Sequence, residues 1–411
     1  MLNQQDHSRR RLAVRLHRGA ERAVADGHPW VFAEGIRQQR HEGAAGDLAV
    51  MFDRNNRFLA IGLYDPHSPI RIRVLHLGEP ETIDGEWFAG RIGAAYQRRQ
   101  HLLDQETTAF RVVHGENDGL PGLVVDRYAQ NMVVKLYTTA WLPHLQSVVD
   151  ALASIGGTTR VVLRLSRAVE RILAGSPDFR EGQVLFGEPL TDPVLFQENG
   201  LTFEADLLRG QKTGFFLDQR ENRARVERLS AGRAVLNVFA YTGGFSVYAA
   251  RGGARSVTSL DVSVPALAAA ERNFEHNRTN DAVAAAEHRT VAGDAFEVLR
   301  AMAMRREQFG MVILDPPAFA KAQAEVERAL ATYARIIRLG LSVLSSPGVL
   351  VAASCSSRIT ADAFRRVVED TVRTSGRSLR VREQTGHPHD HPIGFPEGAY
   401  LKCIYADVGA V

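Results

Sequence analysis

Cysteine is scarce: 411 residues contain two, Cys355 and Cys403. Two thiols this far apart exclude a disulfide framework and a cysteine-rich metal site, and their rarity suits a reducing cytoplasm. Long apolar runs are missing too. None approaches the roughly 18–20 residues of a membrane span, so no membrane partner is expected. The opening stretch MLNQQDHSRRRLAVRLHRGAER has no apolar core and is not a secretory signal. Lysine is nearly absent: Lys135, Lys212, Lys321 and Lys402 are the four among 50 Lys and Arg residues. Positive charge is therefore carried by arginine. A GC-rich genome accounts for such a bias, and guanidinium also binds phosphate bidentately and stacks on bases. Low-complexity linkers and long internal repeats are lacking.

What is present is ordinary for a globular chain: 45% hydrophobic and 24% charged residues, with a net charge of +3. At roughly 100–200 residues per domain the length suits two to four domains. The charge is uneven. Arg9, Arg10, Arg11, Arg15, Arg18 and Arg22 crowd the beginning, opposed by Asp6 and Glu21. This is either an arm for nucleic acid or a solvated tail. Residues 1–75 read as a small β-barrel, with short runs GDLAVMFD, RFLAIGLYD and PIRIRVL between turn residues. Alternation across Ile70, Arg71, Ile72, Arg73 and Val74 puts two arginines on one strand face. Residues 76–183 read as an α+β domain. From 184 to 411, strands alternate with helices, which implies an α/β domain with a parallel sheet covered on both faces.

The motifs sit at strand ends in that last domain. VLNVFAYTGGFSVYAA runs from a buried strand through a glycine turn into a helix, so a ligand can approach the backbone closely. Asp261 ends the next strand, about 20 residues on, where an acid suits a ribose diol. Ser263 is the better N-cap there, because Pro265 falls just inside the helix. Asp294 ends the third strand, where it could accept from an adenine amino group or cap a helix. Three such features on successive strands line the crevice where doubly wound sheets bind ligands, and point to a nucleoside-containing cofactor. FGMVILDPPAFAK then delivers Asp315 to a stiff Pro316-Pro317 turn. A carboxylate beside carbonyls on such a turn suits a flat base edge, and Phe319 could stack on it.

In this order GHPWVFAEGI, HGENDGLPGLVVDRY, QKTGFFLDQRENR, the glycine turn, LDPPAFAK, SCSS and HPIGFPEGAYLK cover nearly the whole chain. The chain resembles the bacterial large-subunit ribosomal RNA cytosine-C5 methyltransferases, class I S-adenosylmethionine-dependent enzymes with an N-terminal PUA domain. The resemblance implies an RNA-holding PUA domain, a middle domain and a Rossmann-like methyltransferase domain. It implies that Phe239, Tyr241, Thr242, Gly243, Asp261, Asp294 and Asp315 face S-adenosylmethionine, with Phe216, Asp218 and Arg220 closing over it. Asn237, Val262, Ser263, Asn277, Ala295 and Pro316 are added to that expected set. Expected RNA contacts are Arg10, Arg11, Arg15, Trp30, Arg71, Arg73 and Phe319, although Trp30 also suits a barrel core. The partner would be ribosomal RNA, bound by a monomer or a homodimer.

Cys355 is read in that light. Cytosine C5 is too weak a nucleophile to take a methyl group directly. A thiolate adding to C6 makes C5 enamine-like, which divides one hard step into easier ones. Cys355 and Asp315 are thus the expected catalytic pair, with Asp315 on the N3/N4 edge of the base. Cys403 lies inside a strand run and is read as structural. Another group of RNA cytosine-C5 methyltransferases carries a second cysteine after the corresponding turn. Ala318 stands there instead, so the base that removes the C5 proton is unassigned. Methylation of an exocyclic amine, a non-catalytic assembly factor and a small-molecule methyltransferase are the alternatives. The histidines of GHPHDHP are read as a surface or RNA-facing loop, and no metal is expected.

Overall fold

Leu12, Val14 and Leu16 alternate with Arg11, Ala13 and Arg15, the period-2 pattern of a strand with one buried face. In the computed structural model, which describes residues 11–320 and 322–410, Arg11–Leu16 is that strand. The three apolar side chains are at most 4% exposed, and a helix, Arg18–Ala25, follows directly. The basic stretch expected as an arm or tail is therefore built into a sheet from Arg11 onward. Arg11 and Arg15 stand on its exposed face, whereas Arg10 lies outside the described residues.

The chain divides into two units. The first comprises residues up to Gly200 together with Ala205–Phe215 and His389–Phe395. It holds a six-stranded sheet in the order Trp30–Phe32, Ile70–Leu77, Phe58–Tyr64, Leu48–Phe52, Arg11–Leu16, Ile36–Gln39. Arg73 departs from the expected basic face. It is 5% exposed and donates to Ile70 O at 3.0 Å. A buried guanidinium needs acceptors within the protein, and its terminal nitrogens find them in Ile70 O and Ser68 Oγ, off the exposed face. Arg71 is half-buried and donates to the carbonyls of Pro66 and Asp65.

A second sheet of the same unit runs Val184–Phe186, Arg160–Leu165, Asn131–Leu136, Leu123–Tyr128, Ala109–His114. Helices Gly85–Gln97 and Leu145–Ala153 pack together. The first starts where the Asp84 carboxylate accepts from Trp87 N at 3.0 Å, an N-cap. Leu48, Ile61, Leu63 and Leu75 of the six-stranded sheet belong to one hydrophobic cluster with Phe88, Trp141 and Leu152. The barrel and the α+β region thus share a core.

The second unit comprises Leu201–Glu204, Phe216–Pro388 and Pro396–Val411. Its strands are β1 (Ala234–Val238), β2 (Ser256–Asp261), β3 (Glu287–Ala292), β4 (Phe309–Leu314), β5 (Leu344–Ser354), β6 (Arg377–Thr385) and β7 (Lys402–Ala410). Its main helices are α1 (Arg220–Leu229), α2 (Gly244–Arg251), α3 (Val264–His276), α4 (Ala295–Met304), α5 (Val326–Ser342) and α6 (Ala361–Thr374). The strand order is β3-β2-β1-β4-β5-β7-β6. β1 to β5 are parallel, while β7 pairs antiparallel with both β5 and β6. The sheet expected to be parallel is therefore mixed. Its middle strands are apolar on both faces, and Leu236, Val312, Leu350 and Val368 share one core. On α5, Ala329, Tyr333, Ile336, Ile337 and Leu341 make a buried stripe at helical spacing.

The shared core of the first unit has a measurable consequence. Leu63 is fully buried, so Leu63→Ala is expected to cost about 2–5 kcal/mol. Denaturant unfolding read separately by far-UV dichroism and tryptophan fluorescence should shift as one transition. An unmoved Trp141 signal would mean that the two cores are separate.

Candidate active site

The turn after β1 is strained. Phe239 has φ 64°, Tyr241 φ 48° and Gly243 φ 76°. The left-handed region costs a non-glycine residue roughly 1–3 kcal/mol and persists only where the surroundings impose it. Here they do. Ala240 N donates to Leu260 O at 2.9 Å, Tyr241 N donates to Asp261 Oδ2 at 2.8 Å, and Asn273 Nδ2 donates to Thr242 O at 2.8 Å. A Cβ on Gly243 would stand 2.8 Å from the Ala270 Cβ. The turn is thus pressed against α3 at the carboxyl end of β1. Thr242 Oγ1 is buried there with no hydrogen-bond partner among the described residues.

Asp261 is oriented by two backbone amides, Tyr241 N on Oδ2 and Ser263 N on Oδ1 at 2.9 Å. Beside it Val262 is 75% exposed, an apolar surface next to the carboxylate. Ser263 caps α3 by accepting from Ala266 N. Asp294 caps α4, with Oδ1 accepting from Phe296 N and Glu297 N at 2.9 and 3.1 Å, and Ala295 is the buried first residue of that helix. Two members of the expected cofactor set bond to neighbouring elements of the same unit. Asn277 accepts from Thr202 N and donates to Thr202 O and Asn273 O. It clamps the start of the unit to α3, with its amide committed to backbone. Asn237 is 1% exposed and donates to Ser246 Oγ at 2.9 Å. It braces α2 from inside the sheet.

Asp315 follows β4, and Cys355 follows β5, its hydrogen-bonded neighbour. Cys355 Sγ lies 3.9 Å from Pro316 O, so the thiol faces the Asp-Pro-Pro turn. Pro316 is buried and Pro317 exposed. Asp315 Oδ2 accepts from Gln219 Nε2 at 2.9 Å. Gln219 Oε1 accepts from Asn222 Nδ2 at 2.5 Å, and Asn222 Oδ1 accepts from Thr385 Oγ1 and Tyr405 OH. A buried polar chain therefore fixes the carboxylate. Sequence reasoning missed Gln219, although it lies between Asp218 and Arg220 in the quoted motif. Nearby, Phe216 packs edge-on against Tyr241 at 5.2 Å, Asp218 Oδ2 accepts from Tyr400 OH at 2.8 Å, and Arg220 is 3% exposed at the start of α1. Phe319, expected to stack on a base, is half-buried against Tyr333 at 4.8 Å. Cys403 is fully buried, and burial pushes its thiol up to about 12, which keeps it protonated and inert.

Two expectations about the first unit also meet the structure. Trp30 is half-buried, donates to Glu116 Oε1 at 2.9 Å and packs against Phe395 at 5.2 Å. The histidine loop expected at the surface is in part interior: Asp390 and His391 are at most 1% exposed. Asp390 is held because Arg111 N donates to Oδ2 at 2.9 Å and Arg99 Nε donates to its carbonyl. A carboxylate so satisfied can be buried. The described residues contain no group of side chains arranged to hold a metal ion.

A seven-stranded sheet in this order, with a strained glycine turn after the first strand and acids at the ends of the next three, defines a class I methyltransferase fold. Comparison with known proteins agrees. The family described as S-adenosylmethionine-dependent methyltransferase matches residues 111–405, and a PUA-like domain matches residues 14–77. The chain belongs to the S-adenosylmethionine-dependent methyltransferases that carry an N-terminal PUA-like domain. It is 50% identical over 401 residues to the ribosomal RNA large subunit methyltransferase of Deinococcus radiodurans, covering 96% of this chain and 97% of that one. It is 36% identical over 406 residues to ribosomal RNA large subunit methyltransferase I of Pseudoalteromonas translucida, covering 96% and 99%. Its fold matches a SAM-dependent methyltransferase from Streptococcus mutans with a TM-score of 0.80 at 21% identity, covering 96% and 99%.

S-adenosylmethionine fits this turn: an oriented carboxylate to accept from hydroxyls, an adjacent apolar surface and an orphaned buried hydroxyl at Thr242 suit a nucleoside with an amino-acid tail. Gly243→Ala tests this. Its Cβ must displace the turn, so S-adenosylmethionine affinity by calorimetry should fall about tenfold or more, a loss of at least about 1.4 kcal/mol. Unchanged affinity would put the cofactor elsewhere.

Proposed function

We propose that the protein methylates cytosine C5 in large-subunit ribosomal RNA through a covalent bond between Cys355 and cytosine C6. The observation that carries this reading is the thiol 3.9 Å from Pro316 O, beside the fixed Asp315 carboxylate. Exocyclic-amine chemistry has no use for a thiol at that point. The names of the relatives support the choice of ribosomal RNA.

The bound cofactor supplies an electrophilic methyl group. Cys355 Sγ, as a thiolate, forms a bond to C6, and the displaced electron pair makes C5 nucleophilic. Asp315 holds the N3/N4 edge and favours protonation at N3. Once C5 carries the methyl group, its proton leaves to a base, the C5–C6 double bond re-forms and the thiolate is expelled. The base must be unpaired or flipped, since C6 is unreachable inside a helix. The Asp261 carboxylate and the 239–243 turn hold the cofactor, while Phe216 packs against Tyr241 of that turn. In the PUA-like module, exposed Arg11 and Arg15 grip RNA phosphates. Thiol catalysis of this kind belongs in a reducing compartment, and the reading places the enzyme in the cytoplasm. Among the described residues, no helix is long and apolar enough to cross a membrane.

Nucleoside mass spectrometry of ribosomal RNA treated with protein and S-adenosylmethionine should reveal 5-methylcytidine. Cys355→Ala should abolish it. A methylated purine that survives Cys355→Ala would instead assign the Asp-Pro-Pro turn to amine chemistry. For the RNA-gripping face, Arg11→Gln with Arg15→Gln should lower the slope of log affinity against log salt by about one per lost phosphate contact. An unchanged slope would put the phosphate contacts on other residues.

A further inference from the structure

Lys402 is 4% exposed, a rare position for an ammonium group. It opens β7, and the ladder sets it opposite Ser354, the last residue of β5. Its Nζ donates to the carbonyl of Ser356 and, at 3.0 Å, to that of Tyr400. Lys402 is therefore tied to the residues on both sides of Cys355: its backbone pairs in register with the one before, and its side chain hydrogen-bonds the one after. Those carbonyls take two of its three protons.

The titratable surroundings of the thiol are specific. Asp315 lies at the end of β4, and the Tyr333 phenol comes from α5, raised by its own burial and by the charges of Cys355 and Asp315. Cys403 follows Lys402 and is kept neutral by burial. Arg225 and Glu383, which both reach Cys403 electrostatically, are paired with each other at 2.8 Å. Lys402 is the cation of this set that is anchored to the Cys355 turn. Burial pulls its ammonium down to about 8, and the charge of Cys355 opposes that fall. It is thus still largely charged at neutral pH.

We propose that Lys402 is a positioning residue that holds Cys355 in its thiolate form. The S–H proton leaves to water, the ammonium keeps its own three protons, and an S⁻/NH₃⁺ pair remains next to the Asp-Pro-Pro turn. This inference rests on the reading of Cys355 as the nucleophile, and supplies the activation that a thiol of ordinary acidity would lack at neutral pH.

The test reads protonation, not turnover. The rate of Cys355 alkylation by iodoacetamide is followed against pH in the full chain, with mass spectrometry identifying the site. Lys402→Met should raise the midpoint by about one pH unit or more, and Lys402→Arg should hold it near the parent value. The reciprocal arm leaves the lysine hydrogen bonds in place. With four lysines in the chain, the Cε signal of Lys402 can be followed by ¹³C NMR, and its midpoint should fall in Cys355→Ala. If Lys402→Met does not fold, this second arm decides alone. Unmoved midpoints overturn the proposal, even where Cys355→Ala abolishes 5-methylcytidine. Conversely, coupled midpoints with methylation surviving in Cys355→Ala would uphold the pair and sink the cytosine-C5 reading.

Discussion

The site depends on the register of three adjoining strands. Leu314 of β4 pairs with Ala352 of β5, and Ser354 of β5 pairs with Lys402 of β7. Because β4 and β5 are parallel, their carboxyl ends emerge side by side and bring Asp315 next to Cys355. Because β7 runs the other way, its beginning, not its end, reaches that same edge. The one antiparallel neighbour of β5 is what puts a lysine beside the thiol. A slip of one residue in this ladder would turn Lys402 to the opposite face of the sheet.

Behind this edge the molecule holds its polar groups in place before any ligand arrives. The chain from Asp315 through Gln219 and Asn222 to Thr385 and Tyr405 draws on α1, β6 and β7. The Gln219–Asn222 and Asn222–Tyr405 links are buried, so they are costly to leave unmade. The strain stored at Phe239 and Tyr241 is held in the same manner, by the Asp261 carboxylate and the Asn273 amide. The orientation of this edge is settled during folding, before any ligand arrives.

Much of this was legible in the sequence, and what was not has a common cause. Apolar runs between turn residues located β1, β2, β4 and β5, because a strand buried on both faces has few other ways to be written. The glycine turn, Asp261, Asp294 and Asp315 could be read because each sits at a strand end. Arg73 was misplaced because alternation identifies two faces without saying whether both are buried. The partners of Asn277 and Asn237, Thr202 and Ser246, come from other elements and could not be read from the sequence. Gln219 and Lys402 carry no local signal at all. Their meaning comes from Asp315 and Cys355, residues that only the sheet brings near. The reversal of β7 escaped notice for the same reason, since strand direction is a property of connections and not of composition.

The segment His389–Phe395 carries a consequence for the order of events during synthesis. It belongs to the first unit, yet it is made only after β1 to β6 of the second. Until Asp390 arrives, the amide of Arg111 and the Nε of Arg99 lack the acceptors that they have in the finished fold. A ribosome making this chain therefore cannot release a finished first unit and then begin the second. Domains that are contiguous in sequence can fold one after another as they emerge. Here the earlier unit waits on the later one, and a chain broken off before residue 389 would leave the first unit without its last piece.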